Sequence, residues 1–191
     1  MSSELTTSTF TFQRLCNKES VDKKAIKAFY KNERYSAKFK GFDLAYGAFS
    51  AGAKSDVNHD ESRILDSADT TAQQELALVA SVIISQLHQD NTQALLHGLV
   101  TASSARGKGI ASRLISFAIR DIKKRESSPS IVGINSIVCF SDPKLANFYL
   151  GNQFTLVNAD DQGILTSSIE ARLLAYQKYQ PNLSVFHISL R

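Results

Sequence analysis

The chain has 191 residues, of which 43% are hydrophobic and 21% charged, and a formal net charge of +4. These values are typical of one globular domain with a sizeable core. The excess of 22 basic over 18 acidic residues suits an anionic ligand, but it is too small to indicate nucleic-acid binding. No apolar run approaches a membrane span, and the N-terminal residues lack the features of a secretory signal. We therefore expect a single cytoplasmic domain over residues 1–191, with no membrane partner.

The two cysteines, Cys16 and Cys139, lie far apart and match no metal-ligand spacing. We expect neither a metal site nor a disulfide, since disulfides are rare in cytosolic proteins.

Hydrophobic periodicity, turn residues and capping residues predict the order β-α-β-β-β-α-β-α-β-(α)-β. The predicted strands are Thr9–Arg14, Asp43–Phe49, Leu76–Leu87, Gln93–Thr101, Ile134–Phe140, Phe154–Asn158 and Leu183–Leu190. The predicted helices are Ser20–Glu33, Gly109–Arg125, Asp142–Gly151 and Ser167–Lys178.

Two of the helices carry N-terminal signals. Asp142 is a capping residue followed by proline at the first helical position. Ser167 and Glu170 have the spacing of a capping box.

Three connections are predicted to be irregular because they are rich in turn residues and lack a sustained period. These are the long loop Ser50–Gln74, the turn His88–Asn91 and the loop Ser127–Ser130.

The stretch Thr101–Asp121 combines the end of a strand, a glycine-containing turn and an amphipathic helix. Gly107 and Gly109 let the backbone bend sharply and approach a ligand. The N–H groups that open the helix favour an anion, and Arg106 and Lys108 add positive charge. The pattern is neither a Walker motif nor a complete dinucleotide-binding motif, so the alternatives are a phosphate cradle and a simple tight turn.

At these residues the sequence resembles the GNAT superfamily of acyl-CoA-dependent N-acetyltransferases. The family signature Arg/Gln-x-x-Gly-x-Gly/Ala is matched by Arg106, Gly109 and Ala111.

A second block resembles the family pattern Asn-x-x-Ala-x-x-x-Tyr-x-x-x-Gly-Phe. Asp142, Leu145, Tyr149, Gln153 and Phe154 stand in those places, so tyrosine and phenylalanine match while the other three positions differ.

The resemblance covers roughly Thr9–Asn158 and implies an α/β (α+β) domain. Its mixed, mostly antiparallel sheet of about seven strands would carry helices on both faces, with the strands Gln93–Thr101 and Ile134–Phe140 splayed around the cofactor. Two departures from the family are the insertion at residues 50–74 and an extra helix at residues 166–179.

The resemblance further implies acetyl-CoA as acyl donor and a primary amine as acceptor. Backbone groups of Gly107, Lys108, Gly109, Ile110, Ala111 and Ser112, with Arg106 nearby, would hold the pyrophosphate. The edge of Leu99, Val100 and Thr101 would pair with the pantetheine arm, and one of its N–H groups would polarise the acetyl carbonyl. Tyr149 would act as general acid toward the sulfur.

The general base is less well defined by the sequence. His97 lies two residues before Leu99, so we expect both side chains on one face of the strand, and an imidazole titrates near neutrality. His187 and Glu75 are further candidates. His59 and His88 lie in a predicted loop and turn, where they would be solvated.

Other functions stay open at this point. A CoA-binding sensor without catalysis would share the same motifs, and a covalent cysteine route is less favoured because Cys139 lies on an apolar strand. The lysines Lys23, Lys24, Lys27, Lys31 and Lys38 are interpreted as a solvated helix face rather than a nucleic-acid site. The acceptor can be a small molecule or a peptide, and a homodimer is compatible with the pattern.

Overall fold

A computed structural model of the chain describes residues 10–15, 20–37, 43–51, 76–87, 90–125, 133–158, 160–161 and 163–191. The strands are β1 Phe10–Leu15, β2 Leu44–Ala51, β3 Leu76–Leu87, β4 Asp90–Thr101, β5 Ser136–Ser141, β6 Thr155–Leu156 and β7 Ser184–Ser189. The helices are α1 Ser20–Asn32, α2 Ile110–Arg125, α3 Ala146–Gly151 and α4 Ser167–Gln177, with 3₁₀ turns at Ser103–Ala105 and Pro143–Leu145.

The seven strands form one mixed sheet in the order β1-β2-β3-β4-β5-β7-β6. Every neighbouring pair is antiparallel except β4 and β5, which run parallel. The predicted fold class is therefore confirmed.

Helices cover both faces of the sheet because its central strands are apolar on both sides. On one face, α1 packs through Ile26 and Tyr30, and α4 packs through Ile169. On the other face, α2 buries a stripe that includes Leu114 and α3 buries Tyr149. We call these the α1/α4 face and the α2/α3 face.

The ends of two strands differ from the prediction because pairing with the neighbouring strand extends each strand beyond the residues whose sequence pattern predicted it. Ser50 pairs with Phe10, so β2 continues to Ala51 and the predicted loop begins later. Asp90 pairs with Leu87, so β4 includes Asp90 and Asn91, which were predicted to be part of a turn. The remainder of the 50–74 loop, residues 88 and 89 and the loop Ser127–Ser130 lie outside the described residues.

The predicted cap at Asp142 is confirmed, because its carboxylate accepts a hydrogen bond from Lys144 N at 2.9 Å and proline follows it. The predicted capping box at Ser167 is wrong. Ser167 is the first residue of α4, and Thr166 at the N-cap makes no side-chain capping bond.

A side chain from β4 holds the backbone that precedes α4. The amide of the buried Gln93 accepts from Thr166 N at 2.8 Å and donates to Ile164 O at 2.6 Å. This tertiary contact anchors the start of α4, and no local sequence pattern could reveal it.

β4 contains a β-bulge at Gly98. Ser81 of β3 pairs with Val100, whereas Ile83 pairs with His97. The interval of two residues on β3 is therefore matched by an interval of three residues on β4. Gly98 has a φ of 61°, in the left-handed region that only glycine adopts readily.

The bulge changes which side chains share a face. Leu99 packs with the α2/α3-face core, while Val100 packs with the α1 cluster. His97 lies opposite Ile83, on the α1/α4 face. The prediction that His97 and Leu99 share a face is therefore wrong, because the extra residue inverts the alternation of side chains beyond it.

We predict that Gly98→Ala lowers the free energy of unfolding by about 2 kcal/mol, because a left-handed φ is strained for alanine. The added Cβ would also lie 3.0 Å from the Tyr30 hydroxyl oxygen and 3.3 Å from Ile83 Cδ1. Urea unfolding measures the change. Gly151→Ala is the matched control, since its Cβ meets nothing within 4 Å and its φ is not positive. Equal effects of the two substitutions would contradict the assigned strain.

Candidate active site

The sheet opens between β4 and β5. Among the described residues, parallel pairing runs from Gln93 with Ser136 to Leu96 with Cys139 and stops there. The last five residues of β4 thus continue beside β3 without a partner on the β5 side. We call this gap the wedge.

The backbone of β4 presents hydrogen-bonding groups to the wedge. Ala102 N donates to Val79 O at 2.8 Å, toward β3. Because successive N–H groups of a strand point in opposite directions, Val100 N–H also faces β3. Those of Leu99 and Thr101 face the wedge.

The N-terminus of α2 lies directly after this open edge. Gly107 and Gly109 have φ values of 74° and 69°, and a Cβ at either would meet no other atom within 4 Å. The left-handed conformation favours glycine, and the space above the turn is open. Arg113 N donates to Gly109 O at 3.1 Å. The backbone amides of α2 that precede Arg113 therefore have no hydrogen-bond acceptor within the helix. Those amides belong to Ile110, Ala111 and Ser112.

Arg106 connects this turn to its surroundings. Its Nε donates to Thr101 O at 3.1 Å, and its guanidinium lies 3.8 Å from the carboxylate of Glu33. The side chain stays 63% exposed, as an anion-binding arginine at a site entrance would be. Lys108 is also exposed.

Tyr149 lies on the α2/α3 face at the inner end of the wedge. Only 4% of its surface is exposed, and its ring stacks on Phe186 at 4.8 Å. Its hydroxyl lies close to the side chains of Cys139 and Ser141 on β5. Burial raises the pKa of Tyr149, and the neighbouring Cys139 raises it further.

Asn152 fixes α3 against the start of α2. Its amide nitrogen donates to Phe148 O at 2.7 Å and to the Ser112 hydroxyl at 3.1 Å. Tyr149 is thereby held beside the glycine turn at the start of α2, although the two segments are far apart in sequence.

His97 lies on the α1/α4 face, one residue beyond the last β4–β5 pair. Its Nε2 is 2.8 Å from the Ser85 hydroxyl. Burial lowers the pKa of His97, opposed by the nearby Asp43 carboxylate and reinforced by Arg172. The imidazole is therefore neutral at neutral pH and able to accept a proton.

The other candidate nucleophiles and bases are less well placed. His187 pairs with Val138, which puts β5 between it and the wedge. Burial raises the pKa of the Cys139 thiol to about 12, so this cysteine is a poor nucleophile at neutral pH. Glu75, Cys16, His59 and His88 lie outside the described residues.

Three residues at the wedge escaped the sequence analysis. Gly98 forms the bulge, and a lone glycine inside a strand pattern is a signal for one. Tyr30 donates from its hydroxyl to Gly98 O at 2.6 Å. Tyr35 follows α1, and its ring lies 5.8 Å from that of Tyr30. A cavity of about 420 Å³ is lined by residues of α1 and of the segment that follows it, namely Ile26, Lys27, Tyr30, Lys31, Arg34, Tyr35, Ser36 and Ala37.

Comparison with known proteins places this arrangement in a family. The sequence model described as "Acetyltransferase (GNAT) family" matches residues 28–149, well over half of the chain. The chain belongs to the GNAT family of acetyltransferases. No curated protein matches it significantly.

Solved GNAT structures share the fold. An acetyltransferase of the family from Staphylococcus aureus Mu50 aligns with a TM-score of 0.53 and 15% identity, over 96% of this chain and 100% of that one. An aminoglycoside 6'-N-acetyltransferase complexed with coenzyme A aligns with a TM-score of 0.55 and 13% identity, over 95% and 97%. A KacTA–DNA complex aligns with a TM-score of 0.50 and 13% identity, over 95% and 94%. At these identities the likeness shows the fold, and each ligand belongs to the protein in which it was found.

The turn after α3 has a positive φ at a residue that is not glycine. Gln153 stands where the family pattern has glycine, and its φ is 69°. The turn returns the chain so that Phe154 N donates to Tyr149 O at 3.1 Å and the two rings lie 5.7 Å apart. The turn therefore forms without the glycine.

Two features are absent from the described part of this GNAT chain. No group of three His, Cys, Asp or Glu residues there is arranged to hold a metal ion. No helix there is long and apolar enough to cross a membrane.

Proposed function

We propose that this GNAT protein transfers an acetyl group from acetyl-CoA to a primary amine by direct attack within a ternary complex. The observation that carries the proposal is the wedge, where an open strand edge ends at a helix N-terminus with a glycine turn. This arrangement suits a long ligand with a diphosphate at one end and an amide-containing arm at the other.

The first step is donor binding. Amides of the turn and of α2 bind the pyrophosphate, and the positive charges of Arg106 and Lys108 favour it. The exposed edge of Leu99, Val100 and Thr101 pairs with the pantetheine arm as a neighbouring strand would. Leu99 N–H points into the wedge and donates to the acetyl carbonyl, where negative charge develops as the amine attacks.

The amine approaches from the α1/α4 face, opposite Tyr149. His97 is neutral near pH 7 and removes a proton from the acceptor's ammonium group, directly or through water, before the neutral amine attacks. The amine nitrogen then bonds to the carbonyl carbon, the carbon–sulfur bond breaks, and the second proton that the nitrogen loses reaches the departing thiolate through water.

Tyr149 faces the leaving sulfur. A tyrosine has an ordinary pKa of about 10 and a thiol about 8.5, so full proton transfer is uphill. Burial raises the pKa of Tyr149 and makes transfer less favourable still. Tyr149 therefore acts mainly as a hydrogen-bond donor that stabilises the developing thiolate.

Gly109→Ala is expected to weaken CoA binding about tenfold, since its Cβ enters the space above the helix amides. It should also cost about 1–2 kcal/mol of stability through its positive φ. Isothermal titration calorimetry with CoA measures the affinity. Gly163→Ala is the control, because Gly163 has a φ of 82° and open space but lies outside the wedge. If Gly109→Ala binds CoA as the wild type does, or if the wild type itself does not bind, the cradle is refuted.

Tyr149→Phe should retain CoA affinity but lower turnover by about 10²-fold, because the developing thiolate loses its donor. Thiol release from acetyl-CoA, measured with a panel of small amines and peptides, gives the rate. Tyr46→Phe is the control, since Tyr46 is also buried but donates to Asp121 at 3.0 Å. Unchanged turnover of Tyr149→Phe would refute its role. CoA binding without release by any amine would favour a sensor.

If His97 is the base, kcat/KM should fall on the acidic side of the pH profile, below pH 6.5, as the imidazole becomes protonated. This fall is the acidic limb of the profile. The pKa of His97 is lowered in the folded protein, so activity is lost only as the pH falls through that lower value. His97→Ala should remove this limb and reduce the rate at neutral pH. His187→Ala is the control, because burial also lowers the pKa of His187. A limb that survives in His97→Ala, or disappears in His187→Ala, would exclude His97 as the base.

A further inference from the structure

The bulge in β4 leaves one carbonyl for the protein to satisfy. A bulged strand carries one residue more than its partner, so the extra residue loses its ladder hydrogen bond. At Gly98 the replacement comes from α1, where the Tyr30 hydroxyl donates to Gly98 O at 2.6 Å. The same hydroxyl lies 3.3 Å from Ser81 Oγ on β3. Since a phenol has one proton, the shorter contact takes it and Ser81 donates in return.

The position of this carbonyl determines the direction of the next amide. In a planar trans peptide, the C=O of Gly98 and the N–H of Leu99 point in opposite directions. The carbonyl points toward the Tyr30 hydroxyl, so the Leu99 N–H points away from Tyr30, which is compatible with the wedge. The alternation counted back from Ala102 N, which donates to Val79 O, gives the same direction independently.

We propose that Tyr30 is a positioning residue that fixes the Gly98–Leu99 peptide and thereby aims the Leu99 N–H at the acetyl carbonyl. This inference rests on the proposed function. Tyr30 touches neither donor nor acceptor in this role and acts through the backbone.

The surroundings of Tyr30 make it a rigid anchor. Tyr30 is 4% exposed and packs in the α1 cluster with Ile26, Ile83 and Val100. Its ring lies 5.8 Å from that of Phe29 and 5.8 Å from that of Tyr35. Its position is therefore set by apolar packing on both sides of the bulge. Removing the hydroxyl alone would free the peptide while leaving the ring in place.

The test reads the acetyl carbonyl directly and needs no acceptor. Wild type, Tyr30→Phe and Tyr46→Phe are saturated with acetyl-CoA labelled with ¹³C at the acetyl carbonyl, and its stretching band is recorded by isotope-edited infrared spectroscopy. A donated hydrogen bond polarises the carbonyl and lowers its frequency. We expect the band to lie at a lower frequency than in free acetyl-CoA when the wild type or Tyr46→Phe binds it. In Tyr30→Phe we expect this shift to be reduced by about half or more. Binding of unacetylated CoA should stay within about threefold of the wild type, since the pyrophosphate cradle is untouched.

Each outcome has a distinct meaning. If Tyr30→Phe binds acetyl-CoA and shows the full wild-type downshift, the positioning role is wrong while the proposed function stands. An equal loss of the downshift in Tyr46→Phe would also overturn the positioning role, because removing any buried tyrosine hydroxyl would then have the same effect. Absence of acetyl-CoA binding in the wild type would instead refute the proposed function.

A rescue variant keeps the test decisive if Tyr30→Phe does not fold. Tyr30→p-aminophenylalanine retains a donor at the same position, so we expect it to fold and to lower the carbonyl frequency of bound acetyl-CoA relative to that of free acetyl-CoA. A folded rescue variant without any downshift would overturn the proposal.

Discussion

The parting of β4 from β5 is the constraint on which the rest of the site depends. Four residue pairs hold the strands together, and the strands then diverge. This divergence leaves Leu99 and Thr101 with N–H groups directed at open space, which a backbone tolerates only where water or a ligand replaces the missing partner. It also separates the two candidate proton-transfer groups, with His97 on the α1/α4 face and Tyr149 on the α2/α3 face.

Side chains around the wedge supply hydrogen bonds to backbone carbonyls of β4 that would otherwise lack a partner. The exposed edge of β4 is supported from behind by β3, while Tyr30 and Arg106 satisfy the carbonyls of Gly98 and Thr101. Asn152 joins α3 to the start of α2. Each bond contributes only about 1 kcal/mol, yet together they set the relative positions of elements from four parts of the chain. The apolar clusters under α1, α2 and α4 provide the stability that permits an open strand edge.

Burial shifts the pKa values of the polar side chains at the inner end of the wedge and so sets their protonation states. Burial raises the pKa of the Cys139 thiol to about 12, so this neighbour of Tyr149 stays protonated. Tyr149 also stays protonated over the physiological range because its pKa is raised. His97 is kept neutral by the opposite shift. The same desolvation thus favours a donor on one face and an acceptor on the other.

The sequence by itself determined the element order, the glycine turn before α2, the cap at Asp142 and the family, because these depend on periodicity and local backbone chemistry. It also directed attention to Tyr149 and to the open edge at Leu99. Tertiary structure alone decided the bulge partner Tyr30, the support of α4 by Gln93 and the face on which His97 lies. These follow from contacts between residues tens of positions apart, and one extra residue in a strand reverses every side chain beyond it.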